Sequence, residues 1–155
     1  MYNNITPAFK IKEMGTRSCR ITIYTKIRYI LDPEEMSFVS QLIYLKDLRD
    51  CGCRTAYSSD FQFKSFRLSK NIFYRCVKNL ERLKLLERKT VRGFTDYILS
   101  EKNYNRLIDI INSTDDVDAL ISFSEREFIL NKRSIDEITD SEILELRIRG
   151  DNYKR

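Results

Sequence analysis

The chain contains no histidine and no tryptophan, only four glycines and two prolines, and no apolar run long enough to cross a bilayer. Without histidine the side chain that ordinarily titrates near neutral pH is missing, so acid–base chemistry would fall on carboxylates or tyrosines. The few glycines form no phosphate-cradling loop and no GxSxG elbow. Asp115, Asp116 and Asp118 come nearest to a magnesium cluster, but three acids at an expected helix start are accounted for by the helix dipole. A membrane span needs about 20 consecutive apolar residues, and the leading MYNNITPAFK lacks the apolar core of a signal peptide. The expectation is a cytoplasmic protein that is not an enzyme, with no catalytic residue, no cofactor and no membrane partner.

Cysteine is scarce as well, with four residues at 19, 51, 53 and 76. Cys51-Gly52-Cys53 invites a metal or redox role, yet structural zinc takes four ligands and no histidine is present to complete the set. Reduced, unligated thiols and no metal site are therefore expected.

What the chain has in quantity is positive charge, unevenly distributed. Residues 1 to 108 carry net +10 and residues 109 to 155 net −5. Residues 64 to 92 hold ten Lys or Arg against Glu81 and Glu87, net +8. Such a balance suits a polyanion, whose condensed counterions are released on binding, and the acidic C-terminal part should face away from it.

Inside that stretch Ser69 is a helix N-cap candidate, so a helix should begin at Lys70. Phe73, Cys76, Val77, Leu80 and Leu83 recur at steps of three and four and form an apolar stripe facing a core. Asn71, Tyr74, Arg75, Lys78 and Arg82 follow the same period on the opposite face. A solvated charged face is one reading of that ridge. Arg and Asn can also pair with guanine and adenine, and Lys and Tyr can anchor on phosphates. Glu87 to Val91 can extend, Arg92-Gly93 can turn and Phe94 to Leu99 can return, which puts Arg88, Lys89 and Arg92 along a hairpin beside the helix. Lys70, Asn71, Tyr74, Arg75, Lys78, Arg82, Arg88, Lys89 and Arg92 are thus the candidate DNA-binding residues.

Ser69, Ile72, Phe73, Arg75, Val77, Lys78, Leu80, Glu81, Leu85 and Leu86 resemble the S-x-x-T-V-x-R-x-L-K-x-L-E-x-x-G-L-I pattern of winged helix-turn-helix domains. Upstream, YTKIRYILDPEEMSFVSQLIYLKDL resembles the opening of these domains in phage and plasmid replication initiators and replisome organisers. The resemblance spans roughly residues 22 to 100, about half the chain. Lys84 stands where the pattern usually carries a helix-ending Gly, and Ser65-Phe66-Arg67 where the turn before the reading helix usually carries one, so the helix before Ser69 should be short or irregular. The resemblance implies a sequence-specific double-stranded DNA binder acting in replication initiation or transcriptional regulation of a mobile element. Its alternative is a winged helix serving as a protein-interaction or assembly module. Aromatic content leaves single-stranded or structured RNA open as a further target.

The expected fold class is mainly α with a small β-hairpin wing: an N-terminal arm over 1–20, the winged helix over 21–112 and an acidic helical appendage over 113–155. Asp32-Pro33-Glu34-Glu35 should start one helix, with Met36, Val39, Leu42, Ile43 and Leu45 as its stripe. Residues 50 to 59 read as loop, and Phe61, Phe63 and Phe66 as core rather than base-stacking residues. Ser100 and the Ser113 to Asp116 stretch should cap two further helices, and Ser134-Ile135-Asp136-Glu137 has the form of a capping box for the last. The apolar faces of these helices either fold back on the body or pair with a second copy to give a homodimer.

Overall fold

A computed structural model describes the backbone of residues 5–13, 17–58 and 62–153, and the side chains of 24–58 and 63–149. The described chain is mostly helical, with one small three-stranded antiparallel sheet. It opens with a two-stranded ribbon, β1 (Ile5–Glu13) against β2 (Arg17–Tyr24), whose register slips between Pro7 and Phe9. Proline has no N–H to give a ladder. Phe61 and the side chain of Cys19 lie outside the described residues.

After a 3-10 turn over Thr25–Tyr29 comes α1 (Pro33–Asp50). Its start is a full capping box. Asp32 Oδ1 accepts from the Glu35 N–H at 2.8 Å, Glu35 Oε1 accepts from the Asp32 N–H at 3.0 Å, and Pro33 fills the first helical position. Then follow β3 (Tyr57–Ser58), α2 (Gln62–Phe66), α3 (Lys70–Arg82), β4 (Leu86–Val91) and β5 (Phe94–Leu99). The sheet runs β3-β5-β4. β3 falls in the stretch expected to be loop; two residues pairing with β5 at Thr95 and Phe94 are too few to leave a strand period.

Four aromatic rings hold these elements together. Phe38 of α1 stacks on Phe66 of α2 with centroids 4.2 Å apart, and meets Phe73 of α3 at 5.3 Å and Tyr97 of β5 at 6.3 Å. Around them lie Leu42, Leu45, Leu80, Leu83 and Leu85, all buried. Cys76 belongs to this core, and burial pushes its thiol up to about 11, so it behaves as a small apolar side chain. Cys51 and Cys53 are exposed free thiols.

The C-terminal helices α4 (Glu101–Asn112), α5 (Val117–Ser124) and α6 (Asp140–Tyr153) fold back on the body. Leu107, Ile110, Ile111, Leu120, Phe123, Phe128, Ile135, Ile138, Ile143 and Leu146 join the same apolar cluster as the aromatic rings. Lys26 also reaches across, donating to the Thr114 carbonyl and to Asp115, each at 3.0 Å. Ser100 and Asp116 cap α4 and α5 as their positions suggest. The last helix starts later than the Ser134 capping-box spacing predicts. Ser134 to Glu137 closes only a 3-10 turn, because the Ile135 N–H is drawn to the Leu83 carbonyl (3.1 Å) and Arg106 holds the Ile138 carbonyl (3.1 Å) with Ile138 extended. Thr139 then accepts from the Glu142 N–H at 3.2 Å, and α6 begins at Asp140.

An ion cluster around one buried carboxylate closes this layer. Glu127, 7 % exposed, accepts from Arg126 at 2.8 Å and from Arg133 at 2.9 Å, and Arg133 also holds Glu142 through two bonds of 2.6 and 2.8 Å. The bonds from Arg126 and then Arg133 bring the Glu127 carboxyl down to about 2. An unfolded glutamate titrates near about 4.3. The cluster's contribution is therefore complete above that value and is lost as pH falls through about 2. Thermal denaturation from pH 6 down to pH 2 should show a steep acid loss of Tm, and Glu127→Gln should be less stable at pH 6 and flatten the acid limb. A limb of unchanged steepness would remove Glu127 as its cause.

Candidate nucleic-acid interface

The apolar stripe of α3 is buried as its period requires: Phe73, Cys76, Val77, Leu80 and Leu83 are each at most 3 % exposed. Ser69 Oγ accepts from the Ile72 N–H, which fixes the helix start at Lys70. The opposite ridge divides in two.

One half is open. Lys70, Asn71 and Lys78 are exposed, and neither lysine forms an ion pair among the described residues. Tyr74 is 44 % exposed, with its ring edge-on to Phe63 at 5.6 Å, so the helix before α3 steadies it.

The other half lies against the acidic start of α1. Arg75 Nη2 is 3.5 Å from both Asp32 and Glu34. Asn79 donates to Glu35, whose burial raises its pKa against the opposing pull of the Asn79 bond. Arg82 in turn donates from Nε (3.1 Å) and Nη2 (2.8 Å) to Asn79 Oδ1. Arg75 and Arg82 thus have protein partners in the unliganded chain. Asp32, Glu34 and Glu35 are the residues that sequence reasoning missed as neighbours of the ridge. They lie about forty positions upstream, and only the packing of α1 on α3 brings them there.

Three residues after α3, β4 and β5 form a hairpin in the register Leu86↔Leu99 to Val91↔Phe94. Arg92 and Gly93 occupy its turn with φ of 52° and 80°, the pair of positive values that a two-residue type I′ turn requires. Arg88 is tied back to Glu81 of α3 at 2.9 Å. Lys89 lies across from Asp96, which is already engaged by Arg49 (3.0 Å) and Thr55 (2.8 Å). Lys89 and Arg92 are exposed and have no ion pair among the described residues. Val91 and Phe94, 67 and 52 % exposed, flank Arg92 at the tip.

Among the described residues, four exposed cations without an ion pair therefore lie on these two elements themselves, Lys70 and Lys78 on the helix and Lys89 and Arg92 on the hairpin. Three more, Arg75, Arg82 and Arg88, are held by Asp32 and Glu34, by Asn79 and by Glu81. No three acids or thiols converge as a metal-ion site among the described residues. Asp116 caps α5 and Asp115 pairs with Lys26. No described helix is long and apolar enough to cross a membrane. Comparison with family models, with curated proteins and with solved structures returns no match.

Proposed function

We propose that this chain is a sequence-specific double-stranded DNA-binding protein of the winged helix-turn-helix class, with α3 as the reading helix and β4–β5 as the wing. The observation that carries the reading is the set of unpaired cations on α3 and on the hairpin next to it, Lys70, Lys78, Lys89 and Arg92. Asn71, Tyr74, Arg75 and Lys78 would enter the major groove, where Asn and Arg discriminate bases, while the hairpin cations and Arg82 contact phosphates. The resemblance of residues 24 to 48 to replication initiators and replisome organisers favours a role in replication initiation or transcriptional control of a phage, plasmid or other mobile element. Exposed Val91 and Phe94 at the hairpin tip favour the second reading, a protein-interaction module, since apolar side chains at a loop tip suit a protein partner.

Fluorescence anisotropy with random duplex DNA, single-stranded DNA and RNA across a salt series separates these. Each neutralised phosphate contributes about −0.9 to the log–log salt slope. Contacts from these four cations give a slope of about −4, and each further cation that reaches a phosphate, Arg75, Arg82 or Arg88 among them, steepens it by about 0.9. No binding at low salt would overturn the DNA reading, and preference for single strands or RNA would overturn the groove-reading mechanism.

A further inference from the structure

Among the described residues four non-glycine positions have positive φ: Arg67 (55°), Lys84 (66°), Arg92 (52°) and Lys132 (49°). All four are basic, although Lys and Arg make up only 28 of the 155 residues. The left-handed region suits glycine best and asparagine next, because a Cβ there crowds the following carbonyl.

Two of the four close helices. After α3, the Lys84 N–H donates to the Glu81 carbonyl (3.0 Å) and the Leu85 N–H to the Leu80 carbonyl (2.9 Å), the paired bonds of a Schellman ending with Lys84 in the glycine position. After α2, the Arg67 N–H donates to Lys64 and the Leu68 N–H to Phe63, each at 3.3 Å, which repeats the motif with Arg67 in that position. Both side chains are exposed, and neither has an ion pair among the described residues. The dipole at each helix C-terminus favours a cation, while the left-handed backbone opposes any side chain with a Cβ, and no ion pair accounts for the charge at either place.

Arg67 and Lys84 bracket α3, one just before its cap and the other just after its last turn. α3 itself is about 20 Å long, thirteen residues at about 1.5 Å each, so the two flank a span longer than the width of a major groove, about 12 Å. We infer that Arg67 and Lys84 are phosphate-contacting residues at the two ends of α3, kept in left-handed conformation at a cost in folding stability because their charge is needed there. The inference rests on the DNA-binding reading above and adds two contacts to it. Lys132 lies in the acidic C-terminal layer, in the turn that leads to Arg133, and serves as the internal control.

Arg67→Gly, Lys84→Gly and Lys132→Gly, each in the full chain, are measured for Tm and for duplex-DNA affinity across a salt series. All three should raise Tm by about 2–4 °C. Arg67→Gly and Lys84→Gly should each make the salt slope shallower by about 0.9, and Lys132→Gly should leave it unchanged. Arg67→Asn, which tolerates the backbone and has no charge, should repeat the loss of slope. Higher Tm with unaltered slope would overturn the inference and leave DNA binding standing. A lower Tm would overturn the stability cost, and absence of duplex binding by the unmodified chain would overturn both readings together.

Discussion

Phe38→Ala should cost about 3–5 kcal/mol of folding stability, the range for deleting a buried aromatic ring that leaves a cavity. In a chain of this size that lowers Tm by roughly 10 °C or more. Phe38 is fully buried, and its ring touches one ring from each of three other elements, Phe66 on α2, Phe73 on α3 and Tyr97 on β5. Those side chains are themselves in mutual contact, with Phe66 and Phe73 at 5.3 Å and Phe73 and Tyr97 at 5.6 Å. Removing the central ring leaves faces that cannot all collapse inward, because each sits on a separate hydrogen-bonded element. Phe38→Leu retains most of the volume and should cost less. Phe94→Ala, at the exposed hairpin tip, should change Tm by about a degree or less. Thermal melts of the three variants check the ordering, and a Phe38→Ala melt within a degree or two of the unmodified chain would remove Phe38 as the centre of the core.

The difference between Phe38 and Phe73 also shows what could be read in advance. Phe73 lies on a clean three-four stripe with charged residues opposite, so period alone places it inside. On α1 the buried residues Glu35, Phe38, Val39, Leu42 and Leu45 also recur at steps of three and four, but the polar Glu35 and Ser40 are buried with them and the apolar Met36 and Ile43 are only half-buried, which blurs the stripe in the sequence. Phe38 lies four residues before Leu42 and so on the same face, which the expected stripe of Met36, Val39, Leu42, Ile43 and Leu45 covers only in part. The β4–β5 hairpin was legible because Arg92-Gly93 is a turn signal between two extended runs. The β1–β2 ribbon was legible only in its second strand, where Ile21 and Ile23 alternate with polar residues in a stretch that reads as a strand or extended arm. Its first strand falls in what read as an arm, and strand pairing depends on a partner rather than on composition. The Ser134 to Glu137 spacing fits a capping box, yet tertiary bonds to Leu83 and Arg106 limited it to a single 3-10 turn. At the candidate site the ridge and hairpin cations followed from periodicity. Their division into paired and unpaired groups did not, since the pairing acids lie on a different helix.

That division makes charge changes on α3 and the hairpin act in the opposite direction to charge changes on α1. Lys78→Glu combined with Arg92→Glu should weaken duplex binding by about 100-fold or more, since two contacts are lost and two repulsive charges are placed near phosphates. Neither side chain is buried or ion-paired among the described residues, so circular dichroism and Tm should stay close to those of the unmodified protein. Glu34→Gln should tighten binding by about 2- to 5-fold, the worth of an exposed ion pair. It leaves Arg75 with Asp32 alone and removes an acid that faces the same polyanion. Asp32 is the less suitable position because its carboxylate also caps α1 through the Glu35 N–H. A solvated charged face with no bound polyanion would show no gain from Glu34→Gln, because there would be no ligand to receive the released guanidinium. A protein partner read through Val91 and Phe94 would instead be lost on Phe94→Ala and be little changed by Glu34→Gln. Measuring both charge variants against one labelled duplex at a single low salt concentration therefore separates groove contact through α3 from both alternatives.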